Sequence, residues 1–255
     1  MKFKKPNFIA DSTEDAKNYL KTIKEKYHFF SQSEADIIVV LGGDGFMLDV
    51  LKKYQNLNLP FYGINQGTVG FLMNQKQDEN LLNKLNEAEE TVIHPLKMHA
   101  KKLDGTIEHY LAVNEISILR SGSQAAKLKI IVDDLVRLEE LVCDGALVST
   151  PAGSTAYNYS AHGPILPIDS NILALTAMAA FRPRRWRGAL LNNNAKITLL
   201  SLDYETRPVR AEADFMEFKN ITKLEIELEK KKFMNVLFDP GHDMEERIIT
   251  EQFNN

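Results

Sequence analysis

The order of apolar and polar residues follows two textures that change near Pro95. In the first part, Ile37-Ile38-Val39-Val40-Leu41 is an unbroken apolar run ending in glycines, the pattern of a strand buried on both faces of a parallel sheet. Pro6 to Ala10 reads as a strand, and the cap-type residues Asp11, Ser12 and Thr13 start a helix from about Glu14 to Lys26. Met47, Leu48, Val50 and Leu51 keep helical spacing over Phe46 to Tyr54, and Pro60 to Ile64 reads as the next strand. Leu81 to Glu90, rich in good helix formers, predicts a further helix. Such alternation predicts an α/β domain over residues 1–95. Beyond it, His109 to Leu119, Lys127 to Val132, Ala146 to Ser149, Lys196 to Leu200 and Thr222 to Leu228 mix apolar and polar residues at strand-like lengths. They predict a mainly β domain over 96–255, whose segment from about residue 239 is expected to pack back on the first domain.

Composition narrows the function. With 255 residues and 44% hydrophobic content the chain can build substantial cores. A net charge of -4 and a pI near 5.9 supply no overall drive toward nucleic acid or an anionic membrane. Cys143 is the single cysteine, which excludes an intrachain disulfide and a multi-cysteine zinc site. The basic start from Met1 to Pro6 leads into no apolar leader, and the stretch Ile172 to Phe181 is too short to span a bilayer, so a cytoplasmic protein is expected. The six histidines form no compact zinc pattern, His162 being the one inside a candidate loop, and no protein metal cage is expected.

Leu41-Gly42-Gly43-Asp44-Gly45 sits where the buried strand gives way to a helix, a place where backbone amides and the helix dipole receive phosphate. It is not the dinucleotide fingerprint, because a G-x-G-x-x-G from Gly43 would need glycine at Leu48, and no Walker A lysine pattern occurs. Asp44 lies at the carboxyl end of a strand, where open α/β sheets bind ligands. It can accept a hydroxyl proton or orient a metal ion; it can equally cap the helix that follows a tight turn. A second glycine-spaced turn, Gly63-Ile64-Asn65-Gln66-Gly67-Thr68-Val69-Gly70-Phe71, follows the next strand, and the two turns are expected to face one crevice. Taken singly, Gly67 and Gly70 also suit plain chain reversal.

In the second part, Asn114-Glu115 offers an amide and a carboxylate that can hold ribose hydroxyls or an adenine edge, although such pairs also end ordinary surface strands. From Asp144-Gly145 through Ser149-Thr150-Pro151-Ala152-Gly153-Ser154-Thr155-Ala156-Tyr157-Asn158, hydroxyls, glycines and an aromatic crowd into one stretch. This composition suits a nucleoside pocket, with Tyr157 available to stack, and it also suits a turn around a buried tyrosine.

Four motifs in this order, GGDG at 42–45, GINQGTVGF at 63–71, NE at 114–115 and DGALVSTPAGSTAYNYSAHGPILP at 144–167, make the chain resemble the NAD kinase family over nearly its full length. GGDG alone is shared with diacylglycerol kinases, related lipid kinases and phosphofructokinases. The resemblance implies an α/β N-terminal domain followed by a mainly β C-terminal domain (NAD kinase/diacylglycerol kinase-like), NAD in the cleft between them, and a homodimer or homotetramer. It implies Asp44 as proton acceptor and contacts to NAD from Asp44, Gly45, Asn114, Glu115 and Asp144. It also implies a pocket that includes Ala152, where many members carry threonine, and is lined by Thr155, Ala156, Tyr157, Asn158, Tyr159 and Ser160. The donor would be ATP or polyphosphate, with Mg²⁺ carried on its phosphates.

The chain departs from the family's pattern at four further positions. Val142 stands where many members have a basic residue two positions before the aspartate matching Asp144. Phe215 and Met216 stand where glutamine or histidine often follows an aspartate resembling Asp214, and Asp49 replaces a frequent lysine or arginine. Arg182-Pro183-Arg184-Arg185-Trp186-Arg187 suits donor phosphates, a neighbouring subunit or plain solvent. The expected activity is transfer of the terminal phosphoryl group of ATP or polyphosphate to the adenosine 2'-hydroxyl of NAD. The alternatives are a non-catalytic NAD or NADP sensor and a lipid kinase of the GGDG type.

Overall fold

The fold is taken from a computed structural model, which describes residues 2–67, 70–76, 80–241 and 249. In chain order the first part comprises β1 (Pro6–Ala10), α1 (Glu14–Lys26), β2 (Ile37–Gly42), α2 (Asp44–Tyr54), β3 (Phe61–Asn65), α3 (Leu81–Glu87) and β4 (Glu89–Ile93). Then come β5 (Leu96–Lys102), β6 (Ile107–Ala112), β7 (Glu115–Arg120), β8 (Ala126–Val132), β9 (Leu135–Cys143) and β10 (Gly145–Ser149). A four-residue helix, α4 (Tyr157–Ser160), precedes β11 (Ile172–Met178), β12 (Gly188–Asn192), β13 (Ile197–Leu202), β14 (Val209–Ala213), β15 (Met216–Phe218), β16 (Ile221–Leu228) and β17 (Met234–Phe238). The chain forms two compact units, one of residues 1–93 with 232–255 and one of residues 94–231.

The first unit is α/β. Its sheet runs β1-β2-β3-β17-β4, with β1, β2, β3 and β17 parallel and β4 antiparallel at one edge. Every residue of β2 is buried, as its unbroken apolar run requires when both faces are covered. Phe8, Ile23, Val39, Leu41, Tyr62, Leu85 and Leu237 share one core, so α1 and α3 bury their apolar stripes on the sheet. The helix expected over Leu81 to Glu90 stops at Glu87, because Ala88 turns extended (φ -61°, ψ 142°) and Thr91, Val92 and Ile93 continue as β4, where β-branched residues fit better. The chain rejoins this unit at Lys232, ahead of residue 239, and β17 enters the sheet between β3 and β4.

The second unit is a sandwich of two six-stranded sheets, β12-β11-β10-β7-β14-β15 and β6-β5-β16-β13-β8-β9. The strict in-out alternation of β8 and β13 buries Leu128, Ile130, Ile197 and Leu199 against Ile116, Ile118, Val148 and Leu175 of the other sheet. The single segment expected over His109 to Leu119 is in fact two strands: β6 belongs to one sheet and β7 to the other, and the chain crosses between them at Val113 and Asn114. A β-rich stretch changes sheets at its polar pair, which brings Asn114 to a corner of the sandwich.

Candidate active site

In the first unit the two glycine turns are joined. Gln66 donates its backbone N–H to the Gly42 carbonyl at 2.9 Å. Asp44 opens α2, and its two carboxylate oxygens accept the backbone N–H groups of Phe71 at 2.7 Å and Leu72 at 2.9 Å. The capping role that the sequence allows for Asp44 falls instead to Gly43, which makes no side-chain cap. Asp44 is the first helical residue, where the N-terminal end of the macrodipole favours a negative charge. Small residues permit the arrangement. A Cβ on Gly70 would stand 2.8 Å from Asp44 Oδ1 and one on Gly42 2.8 Å from the Phe46 ring, whereas nothing lies within 4 Å of one on Gly43. Gly45 is half-buried behind it. Thr68 and Val69 of the second turn lie outside the described residues.

Asn74 anchors the far end of this turn. Fully buried, it exchanges backbone bonds with Gly63 and Asn65, donates its side-chain amide to the Leu237 carbonyl and accepts from the Asp239 N–H. Beside the turn, a groove of about 510 Å³ is lined by Asp15, Asn18, Tyr19, Asn65, Gln66 and Lys76. The Lys76 ammonium lies 4.4 Å from the centre of the Tyr19 ring.

In the second unit Asn114 and Glu115 stand at the β6–β7 corner, whereas Asp144 lies at the opposite end of β7, where Gly145 pairs with Leu119 and the Asp144 carbonyl accepts from the Arg120 N–H. The backbone carbonyl of Asn114 accepts from the Thr150 N–H at 2.9 Å, and Gly153 packs so closely that its Cβ would stand 2.2 Å from that oxygen. Glu115 is buried, Asn114 is half-buried, and the Asp144 side chain is half-exposed, with Oδ1 2.7 Å from Arg120 Nε. Burial and the charges of Glu212, Glu115 and Asp144 push the Tyr157 phenol upward against the opposing pull of Arg210, which places Tyr157 in the field of both predicted carboxylates. Ala152 is buried, Thr155 and Ala156 half-buried, and Tyr157, Tyr159 and Ser160 exposed.

Asn158 behaves differently from its neighbours. It is fully buried, its amide donates to the carbonyls of Ser154 and Pro164, and its oxygen accepts from Thr176 Oγ1 at 2.6 Å. Its side chain holds the loop in shape. Ser154 does the same, donating to the Pro151 carbonyl and accepting from the Leu166 N–H.

Asp214 is the organising residue that the motifs did not single out for the site. Its carboxylate accepts from the N–H groups of Val113 and Asn114, each at 2.9 Å, and of Glu115 at 3.4 Å. Its positive φ of 48° makes it the turn between β14 and β15, an aspartate conformation that sequence alone signals weakly. Phe215 and Met216 follow on that hairpin, exposed. His162, also at positive φ, is exposed at the end of the STPAGSTAYNYS loop, and His242 lies outside the described residues. Cys143 is buried, and burial pushes its thiol up to about 12, which makes it inert as a nucleophile at neutral pH. Among the described residues no three His, Cys, Asp or Glu converge as a metal cage, and no helix is long and apolar enough to cross a membrane.

Known proteins share this layout. The model of the ATP-NAD kinase N-terminal domain matches residues 3–91 and that of the ATP-NAD kinase C-terminal domain residues 113–211. An NAD kinase of Hyphomonas neptunium is 52% identical over 246 residues, 96% of either chain. One from Rhizobium meliloti is 46% identical over 254 residues, 100% of this chain and 99% of that one. Among solved structures, a yeast NADH kinase complexed with NADH superposes with a TM-score of 0.83 at 20% identity, covering 100% of this chain and 89% of its own. An NAD kinase from Archaeoglobus fulgidus in complex with ATP gives 0.75 at 24% identity, covering 97% and 98%; these two likenesses concern the fold. Two domain models in order and about half-identical relatives of matching length lead to one conclusion: the chain belongs to the ATP-NAD kinase family.

Proposed function

We propose that this NAD kinase uses Asp44 as the base that accepts the 2'-hydroxyl proton of the adenosine ribose while the terminal phosphoryl group of ATP transfers directly to that oxygen. The observation that carries the reading is the Asp44 carboxylate, held at a helix start by two backbone N–H groups of the second glycine turn. A base must be held within hydrogen-bond reach of its proton before its pKa matters. A carboxylate offers about four acceptor directions, so the two N–H bonds fix its orientation without removing its charge.

NAD is assigned to the stretch that runs along β7 from Asn114 and Glu115 at one end to Asp144 at the other, with Tyr157 between them and Ala152, Thr155, Ala156, Tyr159 and Ser160 around it. Hydroxyl, amide and carboxylate groups lie along that stretch around an exposed phenol ring, the polar lining a small-molecule site requires. Asn158 serves by shaping the loop. Positioning and charge stabilisation supply most of the catalysis in phosphoryl transfer. Mg²⁺ fits this chain as a passenger on the donor phosphates, because it needs only one or two carboxylates and keeps several waters; Asp44 and Gly45 stand at the helix start that would receive it, and its contribution is to neutralise the transferring group. The same reading includes ATP or polyphosphate as donor, a homodimer or homotetramer and a cytoplasmic location, the last consistent with a single, buried cysteine.

The test is direct. Purified protein incubated with NAD, Mg²⁺ and either ATP or polyphosphate is assayed for NADP with an NADP-specific dehydrogenase. NADP formed with at least one donor supports the reading; tight NAD binding with no NADP from either donor would turn it into that of a sensor. Sedimentation of the same sample gives the assembly.

A further inference from the structure

The Asp44 carboxylate is held by the N–H groups of Phe71 and Leu72, and the segment that carries these donors runs directly into Asn74. Leu72, Met73 and Asn74 are all buried. Along β3 the Asn74 backbone donates its N–H to the Gly63 carbonyl and accepts from the Asn65 N–H, each at 2.8 Å, which makes a parallel bridge to Ile64. The missing side chain of Gly63 lets the segment lie this close: a Cβ there would stand 2.5 Å from Met73 Sδ and 3.0 Å from the Leu72 carbonyl oxygen.

The Asn74 side chain repeats on β17 what its backbone does on β3. Its amide nitrogen donates to the Leu237 carbonyl and its oxygen accepts from the Asp239 N–H, each at 2.9 Å. Bonding to the residues on either side of one position is the pattern of a parallel strand pair, here centred on Phe238 instead of Ile64. Direct pairing of β17 with β3 covers Val236 with Phe61 and Leu237 with Tyr62, and the amide extends the join beyond it. β17 is braced at the same point, because the buried Asp239 carboxylate accepts from the Tyr62 hydroxyl and lies 3.6 Å from Lys84 Nζ of α3. An amide here donates and accepts at once without carrying a charge into the core.

We infer that Asn74 is a positioning residue for Asp44. By fastening the end of the second glycine turn to β3 and β17, it fixes the two N–H groups that aim the carboxylate. This assignment rests on the reading of Asp44 as the base. It gives β17, whose Leu237 and Asp239 lie 163 and 165 residues beyond Asn74, a share in setting the direction of that base. Truncating Asn74 to alanine keeps the backbone bonds to β3 and removes both side-chain bonds to β17, so the donor segment loses one of its two anchors.

The experiment measures kcat and KM for NADP formation, together with the melting temperature, using whichever donor supports the wild type. The variants are Asn74→Ala, Tyr62→Phe, Asp44→Asn and the double variant of Asp44→Asn with Asn74→Ala. Asn74→Ala is expected to lower kcat about 10- to 100-fold, as the misplacement of a reacting group by an ångström does. Its KM for NAD and for the donor should stay within about three-fold of wild type, because the interaction lost acts on the chemical step. Tyr62→Phe breaks the brace on Asp239 and leaves the Asn74 amide alone. It should lower the melting temperature through the lost buried hydrogen bond, yet keep kcat within about two-fold, since no group aiming the base has moved. With the base already gone, Asn74→Ala should slow Asp44→Asn by less than about three-fold, because residues that act as a unit are not additive. Should Asn74→Ala fail to fold, Asn74→Ser takes its place under the same expectations, its hydroxyl being too short to reach both Leu237 and Asp239. An Asn74 variant that keeps more than about half of wild-type kcat, far above the loss expected from misplacement, would overturn the assignment. So would a Tyr62→Phe protein that loses as much kcat as Asn74→Ala, or a double variant in which the two losses multiply. Near-wild-type kcat in Asp44→Asn would instead remove the base reading, and this assignment with it.

Discussion

Each unit carries an aspartate doing the same mechanical job. In the first, Asp44 receives the N–H groups of Phe71 and Leu72; in the second, Asp214 receives those of Val113, Asn114 and Glu115. Both use a carboxylate to gather consecutive donors from a distant corner of the chain, which satisfies buried amides and fixes the corner's shape. They differ in where the carboxylate stands. Asp44 opens a helix next to a glycine with open space beside it, whereas Asp214 sits at positive φ in a tight hairpin. On the function proposed above, the helix start and the open space leave one aspartate to chemistry, while the hairpin makes the other a brace. The same interaction would then serve a base in one unit and a scaffold in the other.

The largest expected effect separates the two. Asp44→Asn and Asp214→Asn make the same chemical change, each leaving one oxygen and turning an amide NH₂ toward a backbone N–H, so each should lose about 1–3 kcal/mol of stability. Only Asp44→Asn should also lose kcat by about 10²–10⁴-fold, the usual value of a general base. Asp214→Asn serves as the structural control. If kcat falls equally in both, or if Asp44→Asn keeps more than about a tenth of wild-type kcat, Asp44 is a brace as well.

The position of Asp44 at a strand-to-helix turn was legible in the sequence, although its hold on Phe71 and Leu72 was not, and nothing about Asp214 was. GGDG follows an unbroken apolar run, and the break between strand and helix can be read locally. Asp214 acts on residues about a hundred positions away, and nothing in the local pattern around it announces those partners. For the same reason the β6–β7 crossing was hidden: His109 to Leu119 has one strand-like texture, and only the pairing of each half with different strands divides it. Asn158 shows the converse. A polar side chain in a loop of ligand-binding composition reads as a contact, yet its donors and acceptor are consumed by Ser154, Pro164 and Thr176. Strands such as β2 and β8 were legible because burial on two faces or on one leaves a direct imprint on hydrophobic order.

A smaller effect tests whether the second-unit corner is as tightly fitted as the first. Gly153→Ala would set a Cβ 2.2 Å from the Asn114 carbonyl oxygen and 2.4 Å from its Cα, so backbone must move. Overpacking of this kind costs about 1–3 kcal/mol. The unfolding midpoint should fall, and NAD affinity should drop with it because Asn114 is displaced. Gly43→Ala is the counterpart in the first unit: with nothing within 4 Å of its Cβ and an extended backbone, it should fold normally. Equal melting temperatures for the two variants would erase the difference in fit.

The smallest expected effect concerns the Asn114 side chain itself. Its backbone is held by Asp214 and by Thr150 whether or not the amide is present, so Asn114→Ala should leave the corner standing and the melting temperature nearly unchanged. What disappears is the one hydrogen-bonding side chain that the proposed function assigns to the nucleoside. Losing such a bond costs about 1–3 kcal/mol, and a half-buried position puts the expectation toward the lower end, about a ten-fold rise in the NAD dissociation constant. Binding is measured by calorimetry without ATP, which isolates the nucleoside corner from the chemistry at Asp44. A ten-fold loss with an intact fold would mark Asn114 as the ligand-facing partner of a brace supplied by Asp214. An unchanged dissociation constant would show that Asp214 and Asn114 together only shape the corner, and the second unit would then bind NAD through Glu115, Asp144 and Tyr157 alone.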